Sequence, residues 1–144
     1  MPRLILIFCL LWSGAASAAE PGNWYRTANV VAHDADTVRC DILFPWHVTL
    51  AGVSVRAHGF DAWEVTRTRQ TVSISPAEIA KGKQALAEFN ALLAHGRLEL
   101  SPLEYDGSDS VYGRLEAKWR IVADDGSIVD LAEYAKAHGW VRKP

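Results

Sequence analysis

Residues 75–96 read SPAEIAKGKQALAEFNALLAHG, and the reading of this stretch decides the fold. Ser75-Pro76-Ala77-Glu78 is a capping box with Pro at the first helical position. Ile79, Leu86, Phe89, Leu92 and Leu93 then recur at helical spacing, and Gly96 stops the run near His95. Upstream, residues 24–32 and 37–44 are rich in Val and aromatic side chains and flank the polar turn His33-Asp34-Ala35-Asp36. His47 to Phe60 is a third extended segment, with Gly52 and Gly59 as bulge candidates. Downstream, Arg97 to Leu103 alternates as a fourth strand and Asp106-Gly107-Ser108-Asp109 is a loop. Val111 to Ala123 reads as a fifth strand, and Ile128 to His138 as a second helix closed by Gly139.

Three strands, a helix, two strands and a helix predict an α+β, mainly β, domain. The expected architecture is a five-stranded Greek-key barrel of the OB-fold type, with one helix between strands 3 and 4 and another at the C-terminal end. At 144 residues the chain holds one such domain, and 49% apolar content is enough to bury a core. A charged fraction of 22% with six Trp argues against disorder. Fifteen cations against 17 acids, a balance of -2, argues against a broad basic face that coats nucleic acid or a polybasic membrane module. Five His and two Cys are too few and too scattered for a zinc framework.

The first residues behave differently. MPRLILIFCLLWSGAASA carries one cation, Arg3, then an apolar run to Trp12, then Ala16-Ser17-Ala18, the small-x-small pattern of a signal peptidase site. Residues 1–18 are therefore read as an export signal and 19–144 as the domain. Cleavage removes Arg3, so the remaining balance is one unit more negative. It also removes Cys9, leaving Cys40 with no disulfide partner. Cys40 lies in a strand-like run and reads as a small buried hydrophobe. The expected product is a secreted or periplasmic monomer without a membrane anchor.

Three short fragments carry chemistry. Asp34-Ala35-Asp36-Thr37 places two carboxylates at i and i+2 in a turn, where they can face a hard cation or simply bond their own backbone. Arg56 to Glu64 (RAHGFDAWE) clusters an Arg, an Asp and a Glu beside apolar neighbours, and alone reads as a surface ion pair. Tyr112-Gly113-Arg114 projects an Arg from a strand start. Together, D-x-D-T, R-x-x-x-x-D-A-x-E and Y-G-R resemble the staphylococcal nuclease (thermonuclease) family. The resemblance runs from about Tyr25 to Val141 and includes the closing Ala137-His138-Gly139-Trp140-Val141.

The resemblance implies a nuclease that hydrolyses phosphodiester bonds of DNA or RNA with little sequence preference and leaves 3′-phosphates. Asp36, Asp61 and the main-chain carbonyl of Ala62 would bind Ca2+. Arg56 and Arg114 would clamp the phosphate with guanidinium donors. Glu64 would act as general base or position the water, and Tyr112 would pack beside the nucleotide. Asp34 would either support a metal ligand from behind or hold the turn, and His58 and Thr37 read as structural. Arg67 and Arg69, in the polar loop from Glu64 to Ser75, are expected to form a wall of the groove for single-stranded substrate.

Two substitutions depart from the family pattern: Ala35 where it has Gly, and Trp63 where it has Pro. A positive φ at Ala35 would destabilise the turn by about 1 kcal/mol, and Trp63 lacks the fixed φ that helps aim Glu64. The further substrate-binding helix of better-known members has no counterpart after Gly139. These departures leave a rival reading, a weak or inactive OB-fold module that binds nucleic acid or another ligand. An unrelated secreted barrel for a small ligand is a third. The charge balance permits the nuclease, because cutting needs a few cations at one phosphate and not a basic surface.

Overall fold

The computed structural model describes residues 24–68, 73–105 and 114–142. Its elements are β1 (Tyr25–Ala32), β2 (Thr37–Leu43), a 3-10 turn (Pro45–His47), β3 (Thr49–Ala57), α1 (Pro76–Ala94) and β4 (Gly96–Leu100). After them come β5 (Glu104–Tyr105), β6 (Leu115–Ala117), β7 (Trp119–Ala123), β8 (Ile128–Asp130) and α2 (Leu131–Ala137). The strands form one sheet in the order β5-β6-β3-β2-β1-β4-β7-β8. All its pairings are antiparallel except β3 with β6, which run parallel. The fold is a mixed α+β arrangement around a curled sheet.

The curl comes from one stretch of chain. β6 and β7 are separated only by Lys118, yet β6 pairs with β3 and β7 pairs with β4. The row β4-β1-β2-β3 thus meets the two halves of the same stretch at its two ends. At the break, the Lys118 N–H donates to Ser101 Oγ at 2.9 Å, and the Ser101 N–H donates to the Lys118 carbonyl at 2.9 Å. This reciprocal pair takes Lys118 out of the regular ladder.

The sheet therefore has eight segments where five strands are expected from the sequence. The fifth expected strand is divided at Lys118, the fourth ends at Leu100, and β5 and β8 lie outside the expected strands. β8 takes residues expected to be helical. The Asp130 carboxylate accepts the Glu133 N–H at 3.1 Å, so α2 starts at Leu131 and Ile128–Asp130 pairs with β7 instead.

α1 has the expected capping box: Ser75 Oγ accepts the Glu78 N–H, and the Glu78 carboxylate accepts the Ser75 N–H. Its deepest face includes the expected Phe89 but otherwise carries smaller residues than expected. Gly82, Ala85 and Phe89 are buried, whereas Ile79, Leu86, Leu92 and Leu93 are half-buried. Small residues go deepest because the helix backbone meets another backbone there: a Cβ on Gly82 would lie 2.1 Å from the Glu64 carbonyl oxygen. Gly96 also serves closeness rather than φ, since its Cβ would lie 2.7 Å from Ile121 Cγ2.

Inside the curl, Phe89 stacks on Trp119 with centroids 5.6 Å apart and meets Trp140 edge-on at 6.1 Å. Trp140 and Trp119 are core residues, and the Trp140 indole N–H donates to Glu88 at 2.7 Å. Cys40 is buried in the same core, which pushes its thiol up to about 11, a shift to which the nearby Asp41 charge adds. Among the described residues no helix is long and apolar enough to cross a membrane.

Candidate functional site

The β1–β2 turn is tied by its own polar groups. The His33 N–H donates to the Thr37 carbonyl at 2.9 Å, and Asp34 Oδ1 accepts the Asp36 N–H at 3.1 Å. Ala35 is fully buried and has no positive φ, so replacing Gly there strains nothing. Asp34 thus makes the turn-bonding contact expected of it.

Asp36 joins three segments. Its side chain and backbone together leave only 6% exposure. One carboxylate oxygen accepts the Thr37 hydroxyl at 2.8 Å, and the other accepts the Ala62 N–H at 2.7 Å. Its carbonyl accepts the Ala57 N–H at 2.8 Å, at the end of β3. Burying a carboxylate is unfavourable unless donors and cations surround it. Arg56, one residue back on β3, supplies the cation.

Arg56 pairs directly with Asp61. Burial works against its charge, but Asp36, Asp61 and Asp34 together outweigh burial and hold the guanidinium more firmly protonated than usual. Desolvation pushes the Asp34 carboxyl toward its neutral form, up to about 7; the Asp36 side chain and the charge of Glu64 add to the rise, and the bond from the Asp36 N–H opposes it. Asp36, Asp61 and Asp34 therefore gather around one Arg, with Glu64 near enough to act on Asp34.

The segment bearing Asp61 to Glu64 is held from two sides. On one, it pairs with the C-terminal stretch: the Trp63 N–H donates to the Trp140 carbonyl at 3.1 Å and the Arg142 N–H to the Asp61 carbonyl at 2.8 Å, with an Ala62–Val141 bridge between. On the other, α1 presses Gly82 against the Glu64 carbonyl. Trp63 reaches the C-terminal stretch. Its indole N–H donates to the Gly139 carbonyl at 3.2 Å, and Lys81 Nζ sits 4.7 Å from its ring centroid. Packing and hydrogen bonds thus provide rigidity that Pro would provide through φ.

Asp36, Arg56, Asp61, Ala62 and Glu64 come together at one end of the β1–β2 hairpin. Arg114 immediately precedes β6, whose register sets Val55 beside Leu115 and Arg56 beside Glu116. Arg114 therefore falls at the entry to the strand that neighbours β3, two positions before the residue beside Arg56. Arg67 has a structural contact: its Nε donates to the Ile74 carbonyl at 2.9 Å and closes the base of the loop. Arg69, Tyr112 and residues 1–18 lie outside the described residues. The sequence reading missed the Glu116 carboxylate, which pairs with His58 Nδ1 at 2.8 Å and lies beside Arg56 in the register. No local pattern links residues 58 positions apart, so only strand pairing could reveal it.

The oxygens of Asp36, Asp61 and Ala62 are the hard donors that calcium takes. Each Asp36 oxygen already accepts one hydrogen bond but keeps a second lone pair, and Asp61 shares its charge with Arg56. Among the described residues, no group of three or more His, Cys, Asp or Glu side chains is arranged to hold a metal ion. Asp36 and Asp61 bring two carboxylates to this end, and Arg56 already engages one of them. Compared with known proteins, the chain matches no protein-family model and no curated protein.

Proposed function

We propose that the protein is an exported, calcium-dependent nuclease that hydrolyses phosphodiester bonds of single-stranded DNA or RNA and leaves 3′-phosphates. The observation that carries this reading is the convergence of Arg56, Asp36, Asp61 and Glu64 from three chain segments at one hairpin end. The family resemblance supplies the substrate class. The scaffold reading is an OB-type barrel: β6 and β7 count as one strand bent at Lys118, and β5 and β8 as short extensions. Export rests on the pattern of residues 1–18.

Phosphodiester hydrolysis needs an in-line water and stabilisation of charge on the equatorial oxygens. Arg56 has donors beyond the one used by Asp61 and would grip a phosphoryl oxygen, with Arg114 from the entry to the neighbouring strand as the second cation. Glu64, whose backbone is wedged by α1, would take the proton of the attacking water as its oxygen bonds to phosphorus and the bond to the 5′ oxygen breaks. Calcium on Asp36, Asp61 and the Ala62 carbonyl would supply further positive charge at the phosphate. Arg67 would act indirectly, by shaping the loop, and Arg69 and Tyr112 would touch substrate.

A second reading, a binding module without catalysis, is favoured by the engagement of Asp61 with Arg56. One assay separates the two. Protein lacking residues 1–18 is incubated with single-stranded DNA in calcium or in chelator, beside Glu64→Ala. Cleavage in calcium alone, slowed about 10²–10⁴-fold by Glu64→Ala, is the expected result. Binding without calcium-dependent cleavage would overturn the nuclease reading, and full-rate cleavage by Glu64→Ala would overturn the assignment of the base.

A further inference from the structure

At the open end of the β1–β2 hairpin, far from Asp36, lies a groove of about 660 Å³. Trp24, Tyr25, Phe44, Pro45 and Trp46 line it, with Arg26 at its side. Tyr25 and Phe44 form an edge-on pair with centroids 4.9 Å apart. Trp46 is 90% exposed, with Val48 and Leu50 exposed nearby. Trp46 and His47 both have positive φ, 59° and 61°. Left-handed backbone is unfavourable for such residues by roughly 1–2 kcal/mol each. The turn holds it through the Phe44 N–H, which donates to the Val48 carbonyl at 2.8 Å. Strained backbone that displays a bare indole is a feature of binding sites more than of packing.

The charge around the groove points to the class of ligand. Arg26 stands opposite Glu99 in the β1–β4 register, and Glu99 stands opposite Arg120 in β4–β7. The Glu99 oxygens are already taken, one by Arg97 at 2.9 Å and one by Arg120 at 2.8 Å. Burial works against the charge of Glu99, but the bonds from Arg120 and Arg97 outweigh it and keep its carboxyl below the usual range. Arg120 also lies under the Trp24 ring, 4.2 Å from its centroid. Three arginines thus surround one carboxylate, and among the described residues the Arg26 side chain has no hydrogen-bond or ion-pair partner. Among the described residues this face carries more positive than negative charge, and apolar surface lies beside it.

We propose that this groove is a second contact for a single nucleic-acid strand, with a base stacked on Trp46 and the adjoining phosphate held by Arg26. The choice of polymer rests on the nuclease reading; the groove and its charge do not. β2 has seven residues, so the groove lies roughly 20 Å from the Asp36 end along the hairpin. A strand of several nucleotides is needed to reach both, within the ~4–16 nucleotides that such domains cover. Stacking tolerates any base, so the groove adds grip and reach without adding sequence preference.

The test uses protein lacking residues 1–18 and a fluorescein-labelled eight-nucleotide deoxyadenosine strand in chelator, read by anisotropy. Trp46→Ala is expected to weaken binding about 10-fold, and Trp46→Phe to restore most of it. Arg26→Gln is expected to weaken binding and to reduce the slope of log affinity against log salt by about 0.7, one phosphate on a single strand. Melting curves confirm that each variant is folded. Unchanged affinity in Trp46→Ala overturns the proposal. So does equal, Trp46-dependent binding of a polyglutamate peptide, or a dimer in sedimentation that Trp46→Ala dissociates while strand binding persists. Trp46-dependent binding with no cleavage in calcium would sink the nuclease reading alone. Calcium-dependent cleavage with Trp46-independent affinity would sink the groove alone.

Discussion

At the closed end of the β1–β2 hairpin, Asp36 is 6% exposed and both of its carboxylate oxygens accept hydrogen bonds. At the open end of the same two strands, Trp46 is 90% exposed and Arg26 faces a glutamate whose oxygens are already taken. The strands are continuous; what differs is the surroundings. Three segments converge on the closed end, and α1 and the C-terminal stretch brace one of them. Among the described residues, the open end is flanked by β4 and closed by a strained turn. Carboxylates can be gathered where the scaffold is over-determined, because bracing resists their mutual repulsion. Exposed rings need no such bracing.

Substitutions of unequal effect can break this contrast. Gly82→Ala places a Cβ where the Glu64 carbonyl stands, and backbone on both sides leaves no flexible side chain to yield. A loss of about 3 kcal/mol or more in urea unfolding is expected, with a lower Tm. An unchanged midpoint would mean that α1 does not brace the closed end.

Asp34→Asn tests the gathered charge through pH. The folded-state carboxyl of Asp34 is raised to about 7 from 3.8, so the folded protein holds that proton more tightly than the unfolded chain. Its stabilising contribution is complete below about pH 3.8 and is lost as pH rises through about 7. The wild type should therefore lose stability relative to Asp34→Asn between about pH 4 and 7, by up to about 1.4 kcal/mol per pH unit. Parallel stability curves for the two proteins would show that neither burial nor the neighbouring carboxylates raise the Asp34 carboxyl.

Trp46→Gly should have the smallest effect on stability. It removes an exposed ring and relieves a positive φ at one position, so unfolding should shift by no more than about 1 kcal/mol, toward greater stability. A large loss would show that the turn at the open end is packed rather than displayed.

How far each region is legible in the sequence follows from the range of its interactions. The capping box of α1 and the turn bond from Asp34 to Asp36 are local and can be read directly. The five motif residues at the closed end are likewise brought together from fragments that the sequence singles out. Gly82 at the deep face of α1 escapes a reading that ranks apolar size, because closeness, not bulk, decides burial there. β8 escapes because Ile128–Asp130 sits beside helix-forming residues, and only pairing with β7 draws it into the sheet.

By itself, the sequence determined the capped helix, the two-carboxylate turn, the spacing of Arg56, Asp61 and Glu64, and a slightly acidic total charge. Tertiary structure alone decided which charges meet: Arg56 with Asp61 beside Asp36, His58 with Glu116, and Arg97 and Arg120 on Glu99, leaving Arg26 over. It also decided that Trp63 is pinned to Gly139 while Trp46 stands in solvent. The division is physical. Helix caps and turns close over a few residues, whereas burial and Coulomb interactions act through space, between residues that only strand register brings within reach.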